Sequence, residues 1–328
     1  MEFYSHVKSY LSEVETIIEA ELSKEDSRTY GMLAPFIKRG GKRIRPVLIF
    51  LSCGAVGGKY QDCIQPSVIL EMFHNFTLIH DDIEDDSHFR RGEPTIHITH
   101  GIPIALNSGD ALYTFLWKKL VFLNLKSSLL LKLQKIYVTA FKKVVDGQGV
   151  ELSWIKFNRF DVSEKEYLDM INGKTSALLS LSCEMGALLG GAPKRVRSAL
   201  SDFGEMVGAA FQIQDDILNL VGNFEVYKKE IGGDISEGKR TLIIVHCLSK
   251  ANELDKNRLI SILSSHSKNP EDISEAISII KKYGSIDYAR DYAQKLVNKA
   301  KNKLKVLPDS EDKKALLLLA DYVVNREQ

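Results

Sequence analysis

The sequence predicts an all-α fold, and three observations carry the prediction. Apolar residues recur at intervals of three and four rather than two. No proline occurs between Pro103 and Pro193, and the whole chain has only eight. Strand signals are weak throughout. Helices are expected at 5–22, 43–58, 63–87, 103–124, 127–157, 163–191, 194–221, 238–250, 254–265, 271–283, 286–305 and 311–326. The first is amphipathic, whereas those in the middle of the chain are apolar nearly all round, as buried helices are. From about Lys250 the helices become lysine-rich and conventionally amphipathic, which suits a peripheral layer. Loops are marked by Arg39-Gly40-Gly41, Arg91-Gly92-Glu93-Pro94, Gly191-Ala192-Pro193, Gly222-Asn223 and Gly232-Gly233. None is long enough to be a linker, so one domain over residues 1–328 is expected, with no fixed-period repeat.

Composition narrows the function. The chain has 328 residues, 44 Lys plus Arg against 43 Asp plus Glu and a net charge of +1; this balance excludes a disordered or polyanion-coating chain. Cys53, Cys63, Cys183 and Cys247 have no CxxC spacing, so neither a disulfide framework nor a structural zinc site is expected. The N-terminus lacks a basic segment followed by an apolar one, so no export signal is expected and the protein is placed in the cytoplasm. The longest nearly uncharged stretch, Thr175 to Pro193, carries Glu184 at its middle. It reads as a buried helix, and no membrane span is expected.

Two acidic clusters stand at the ends of apolar helices. In His80-Asp81-Asp82-Ile83-Glu84-Asp85-Asp86 the spacing puts Asp81 and Asp85 one turn apart on one face, with Asp82 beside them. Such carboxylates repel unless a cation neutralises them, and hard divalent ions suit oxygen ligands. Taken alone, an acidic run is more often a solvated helix end. A second cluster, Gln212-Ile213-Gln214-Asp215-Asp216-Ile217-Leu218-Asn219, changes the odds. Two such clusters could hold several Mg²⁺ ions, and magnesium usually shares its shell with substrate phosphates.

Cations supply the other half of a phosphate site. Lys38-Arg39-Gly40-Gly41-Lys42-Arg43-Ile44-Arg45 sets five cations around a glycine pair, and Arg90-Arg91-Gly92 follows the first acidic helix. Balanced charge and the lack of interleaved aromatics argue against nucleic acid. Glycine beside Lys and Arg suits the wrapping of a diphosphate, with bidentate guanidinium contacts.

In order along the chain, Gly40-Gly41-Lys42-Arg43-Ile44-Arg45-Pro46, Asp81-Asp82-Ile83-Glu84-Asp85, Arg90-Arg91-Gly92, Gly147-Gln148, Lys174-Thr175, Phe211-Gln212-Ile213-Gln214-Asp215-Asp216 and Gly232-Gly233-Asp234 leading to Gly238-Lys239-Arg240-Thr241 resemble the trans-prenyl diphosphate synthases. That resemblance implies an all-α fold around a deep cavity, a homodimer, and Mg²⁺-dependent joining of isopentenyl diphosphate to an allylic diphosphate. It implies Asp81, Asp85 and Asp215 as metal ligands, with Asp82 and Asp216 near them. Arg90, Lys174, Lys229 and Lys239 would hold the allylic diphosphate, and Lys42, Arg45, His74 and Arg91 isopentenyl diphosphate. Thr175, the Lys174 carbonyl and Gln212 would face the developing allylic cation. The second motif departs from the family by ending in Asn219 instead of a third aspartate, and Lys228 replaces the glycine usual before Lys229.

The resemblance implies that the residues four and five before the first aspartate, Thr77 and Phe76, help set product length. Phe76 and Thr77, with two residues between Asp82 and Asp85, resemble the archaeal-type geranylgeranyl diphosphate synthases, and Phe73 shares a stripe with Phe76. The implied product is C20, with C15 and C25 as alternatives. An aromatic pair at helical spacing is usually core, so the role of Phe76 in product length rests on the resemblance alone. A non-catalytic subunit would predict losses in the first acidic motif or Arg90-Arg91. A terpene cyclase would lack Asp215-Asp216 and the cations from Lys42 to Arg45.

Overall fold

The computed structural model of the protein describes residues 4–221 and 232–326; Lys228 and Lys229 lie outside them. These residues are helical apart from loops and one short hairpin. The chain forms two compact units, one of residues 1–138, 181–201 and 306–316, the other of 139–180, 202–305 and 317–328.

The first unit holds α1 (Lys8–Leu22), α2 (Ser27–Tyr30), α3 (Leu33–Lys38), α4 (Ile44–Gly54) and α5 (Ile64–Glu84). The hairpin of β1 (Phe89–Arg90) and β2 (Glu93–Pro94) follows, then α6 (Ile96–His100), α7 (Ile102–Val121) and the start of α8 (Ser127–Lys156). Helix α5 is its centre and packs on α1, α4 and α7. Val68, Ile69, Leu70, Met72 and Phe73 point in successive directions around α5, yet all are fully buried, each worth roughly 1.5–3 kcal/mol of burial. Pro66 lies in the first turn, where its missing N–H costs nothing. The apolar stretch ends at the acidic cluster, so the buried helix delivers Asp81, Asp82 and Asp85 to its own C-terminal end.

The second unit holds the rest of α8, α9 (Glu164–Ile171), the start of α10 (Ala177–Leu189), most of α11 (Lys194–Val221), α12 (Gly233–Ser236), α13 (Leu242–Lys250), α14 (Glu253–Ser264), α15 (Pro270–Lys282), α16 (Ser285–Lys303) and the end of α17 (Glu311–Asn325). Helix α9 starts from a capping box: Glu166 N–H donates to Ser163 Oγ at 3.2 Å, and Ser163 N–H to the Glu166 carboxylate at 2.9 Å. The donors of Ser163, then the Arg159 guanidinium, pull Glu166 down to about 2.

The structure corrects the expected helix at 163–191. Between α9 and α10 the backbone widens into a π turn, Asn172–Ser176, a form found mostly at functional sites. Its tertiary partner is Gly147 on α8. A Cβ there would strike Lys174 N and stand 2.9 Å from Met170 O, so only glycine lets α8 approach the widened turn. The helix expected from 238 begins at Leu242 because Thr241 caps it, accepting from Ile244 N–H. Gly232-Gly233, read as a loop, opens the one-turn α12, with Gly232 at φ 80°. The Arg91-Gly92 punctuation is the turn of the β-hairpin, with φ of 56° and 82°, the pattern of a type I′ turn.

All four cysteines are free and buried. Among the described residues no helix is long and apolar enough to cross a membrane. A groove of about 500 Å³ in the first unit, between α1 and the end of α7, contains none of the predicted site residues.

Candidate active site

Each unit carries one half of the predicted set. In the first, the turn Gly40–Arg43 leads into α4. Arg43 takes a left-handed conformation, φ 48°, uncommon for a residue with a Cβ. It is held there by its guanidinium, which donates to Glu15 at 2.7 Å, to the buried Glu71 at 2.5 Å and to the Ile37 carbonyl at 2.9 Å. Gly41 lies directly under Arg91: a Cβ there would stand 2.9 Å from Arg91 Nη2. Gly41 therefore brings backbone against a guanidinium.

The charges of four arginines are felt at His74. Burial, then Arg45, Arg91, Arg90 and Arg43, hold its imidazole well below the ordinary histidine value. Arg91 is itself pushed down to about 10, first by burial and then by Arg43, with Arg90 adding to it. Arg91 Nη1 is buried and has no hydrogen-bond acceptor. Cations repelling each other in a partly dry site, with a donor left over, make a cradle for a multiply charged anion.

Arg90 turns the other way, toward the acidic helix end. It donates to buried Asp82 through Nε at 2.7 Å, with Nη2 at 2.5 Å. Asp82, Asp81 and Asp85 together hold the guanidinium charged, against its burial. Burial pushes Asp82 upward and Asp85 adds to that, while Arg90 opposes both. Asp82 is therefore spent on Arg90, and Asp81 and Asp85 are the half-buried pair on the other face.

Phe76 lies one and a half turns before Asp81 and packs on His80 (centroids 4.6 Å), Tyr113 of α7 (4.9 Å) and Phe73 (5.5 Å). Thr77 donates its hydroxyl to the His74 carbonyl at 2.8 Å, which leaves its methyl as the free end.

The second unit gathers Lys174, Gln212, Asp216 and Lys239 around a small pocket. Lys174, on the π turn, donates to Glu151 of α8 at 2.5 Å. Lys239 pairs with Glu237 and lies 3.8 Å from Asp234. Thr175 donates to Gln212 Oε1 at 2.7 Å, and Gln212 Nε2 to Asp216 at 2.9 Å. The other Asp216 oxygen accepts from Tyr167 O–H at 2.8 Å. Burial first, then Asp234 and Asp215, push Asp216 well above the usual carboxylate range, while Gln212 and Tyr167 pull it down. Burial and Asp216 keep the Tyr167 phenol protonated, so it donates.

Asp215 pairs with Arg326 at 2.7 Å, and Arg326 also lies 3.9 Å above the Phe211 ring. Asn219 Oδ1 accepts from Asp234 N–H at 3.1 Å. That occupied oxygen gives the departure from the third aspartate a structural task, the anchoring of α12. Lys229 lies outside the described residues. Sequence reasoning did not single out Glu151, Tyr167, Glu71 or Arg326. Only Glu151 left a trace, one helical turn after Gly147.

The donor set fits magnesium. Its habit is to keep waters and take one or two protein carboxylates, and among the described residues no three His, Cys, Asp or Glu side chains form a closed cage. Asp82 Oδ2 is buried without a hydrogen-bond partner, and burial with Asp234 and Asp215 disfavours the charged form of Asp216. Both are places where added positive charge would be stabilising.

Helical aspartate pairs with half-buried guanidinium and ammonium groups are the arrangement expected of an all-α enzyme of diphosphate chemistry. The model of the polyprenyl synthetase family matches residues 26–280, and the chain belongs to that family of trans-prenyltransferases. It is 41% identical over 291 residues to the short chain isoprenyl diphosphate synthase of Methanothermobacter thermautotrophicus, covering 89% of this chain and 88% of that one. To the geranylgeranyl diphosphate synthase of Sulfolobus acidocaldarius it is 34% identical, over 99% of both chains. The crystal structure of geranylgeranyl pyrophosphate synthetase from Pyrococcus horikoshii superposes with a TM-score of 0.92 at 35% identity, covering 99% of this chain and 98% of that one.

Proposed function

We propose that the protein condenses isopentenyl diphosphate head to tail with an allylic diphosphate, in a Mg²⁺-dependent reaction that yields geranylgeranyl diphosphate, C20. The reading treats residues 1–328 as a single polyprenyl synthetase domain. The observation that carries it is the pocket that Lys174, Gln212, Asp216 and Lys239 line together, cations and an aspartate of the motifs that resemble the family's.

Lys42, Arg45, His74 and Arg91 bind the diphosphate of isopentenyl diphosphate. Arg90, Lys174, Lys229 and Lys239 hold that of the allylic partner. When bound through Asp81, Asp85 and Asp215, with Asp82 and Asp216 alongside, magnesium supplies positive charge to the departing diphosphate. Lys174 and Lys239 stabilise the same developing charge, an electrostatic contribution of fixed groups that need not reorganise. Thr175, the Lys174 carbonyl and Gln212 present oxygen toward the allylic carbon as it gains positive charge. Phe73, Phe76 and Thr77 set how far the growing chain extends.

The reading includes a homodimer in the cytoplasm. Leu131, Val138 and Val145 of α8 lie seven residues apart and are 52%, 48% and 59% exposed, a stripe that a second copy would cover. The free cysteines suit a reducing compartment. The test is incubation of the purified protein with labelled isopentenyl diphosphate and, separately, dimethylallyl, geranyl or farnesyl diphosphate, with Mg²⁺ or with chelator. Condensation that needs Mg²⁺ is expected; none with any primer, from folded protein, refutes the reading.

A further inference from the structure

We propose that Arg240 is a positioning residue for Lys239. It fixes the peptide from which the Lys239 side chain springs and ties that loop to the end of α8, so that the ammonium is held in place for an anionic diphosphate. The proposal rests on the reading, given above, that Lys239 holds the allylic diphosphate.

The peptide between Gly238 and Lys239 is held on both sides. Its N–H, on Lys239, donates to the Asp234 carbonyl at 2.9 Å. Its carbonyl, on Gly238, accepts from Arg240 Nη1. The peptide plane cannot turn without breaking both hydrogen bonds, so the direction in which Lys239 leaves the backbone is set. The same guanidinium reaches out of the loop. Arg240 Nε donates to the Arg159 carbonyl at 2.9 Å, and the group lies over the Phe160 ring, 4.1 Å from its centroid, an arrangement that attracts a cation to the face of the ring. Arg240 is 2% exposed, so bulk water cannot take over these contacts. Both acceptors are backbone carbonyls, and burial pushes Arg240 down to about 10, so the clamp stays charged and paired at neutral pH.

The far end of the clamp is itself fixed. Arg159 N–H donates to the Trp154 carbonyl at 2.9 Å, which closes the end of α8, and α8 carries Glu151, the partner of Lys174. The two ammonium groups of the pocket, Lys174 and Lys239, are therefore mounted on stretches of chain that Arg240 joins. The loop sequence divides the work residue by residue. Gly238 takes φ 67°, where a Cβ would stand 3.0 Å from the Leu263 carbonyl; Lys239 binds, Arg240 clamps and Thr241 caps α13. A lysine at position 240 would keep the charge, but it has no planar fork to serve two carbonyls while lying flat on a ring. In this account Arg240 touches no substrate; it acts through Lys239.

The experiment measures the affinity of an unreactive allylic thiolodiphosphate, by calorimetry with Mg²⁺, for wild type, Arg240→Lys, Phe160→Leu and Lys239→Ala, and for Lys239→Ala combined with each of the other two. Lys239→Ala is expected to weaken the analogue about tenfold or more. Arg240→Lys is expected to weaken it about fivefold in otherwise wild-type protein, yet by less than about twofold once Lys239 is alanine, because nothing is left to position. Phe160→Leu leaves both carbonyl bonds possible and should give the same pattern at about threefold, which decides the matter if Arg240→Lys does not fold. The isopentenyl KM should stay within about twofold in both variants while the allylic KM rises, whereas a general loss of structure would move the two together. Equal losses in the two backgrounds would mean that Arg240 acts by its own charge or through the fold at large, and would overturn the positioning role, as would no loss from either variant. If Lys239→Ala itself leaves the affinity unchanged, the assignment of Lys239 fails first and the inference falls with it.

Discussion

The two aspartate pairs start from similar sequence, each following an apolar helical stretch, although α5 ends just after its pair and α11 runs on to Val221, and they reach different chemistry. At the end of α5, buried Asp82 is balanced by a full charge, the Arg90 guanidinium at 2.5 Å. At the corresponding pair on α11, buried Asp216 is balanced by neutral donors, Gln212 and Tyr167. An ion pair fixes charge in place, whereas an amide and a phenol fix orientation. One end is thus an anchored anion beside an arginine cradle. The other is a polar network around a carboxyl whose charged form burial, Asp234 and Asp215 disfavour.

Removing a partner at each end sharpens that contrast. Arg90→Leu strands a carboxylate whose side chain is 2% exposed, and a loss of roughly 3–5 kcal/mol is expected in urea denaturation. Tyr167→Phe removes a neutral donor and should cost about 1–3 kcal/mol. Equal losses from the two variants would break the comparison. Gly147→Ala drives a methyl into the backbone of the π turn, with an expected cost of about 1–3 kcal/mol. Because Lys174 and Thr175 ride on that turn, the condensation rate should fall on the order of 100-fold.

Smaller effects test the anchoring of α12 and the charge on His74. Asn219→Ala deletes the acceptor of Asp234 N–H and should cost about 0.5–1.5 kcal/mol, whereas Asn219→Asp keeps an acceptor oxygen and should cost less. His74 is held neutral in the folded chain, below its ordinary value of 6.5. As pH falls through about 6.5 the unfolded chain takes a proton that the folded chain refuses, so stability is lost downward from there. His74→Gln removes this contribution, and its stability should fall less steeply than wild type between neutral and acid pH.

Much of the fold was legible because it is built of long helices. The absence of proline from Pro103 to Pro193 and the period of three to four place α5, α7, α8 and α11 within a few residues. What was not legible depends on contacts distant in sequence. The π turn exists because Gly147 allows α8 to close on residues 172–176, which no local pattern encodes. Helices α2, α3, α6 and α12 are too short for periodicity to register.

The site divides the same way. That Asp81 and Asp85 share one face follows from helical spacing, and the cations near Gly41 and Gly92 can be read directly from the sequence. Their partners do not: Glu71, Glu151 and Tyr167 look like core or surface residues until folding sets them beside Arg43, Lys174 and Asp216. Arg326, almost at the end of the chain, gives no hint of Asp215 in sequence.

The most direct test of the account is product length from farnesyl diphosphate and labelled isopentenyl diphosphate, for wild type and Phe76→Ala side by side. A C20 product from wild type and longer products from the variant are predicted, since Phe76 and its packing on Tyr113 would form the floor. A folded wild-type protein that forms no condensation product from this or a shorter primer would contradict the assigned reaction, and an unchanged C20 product in Phe76→Ala would contradict the floor.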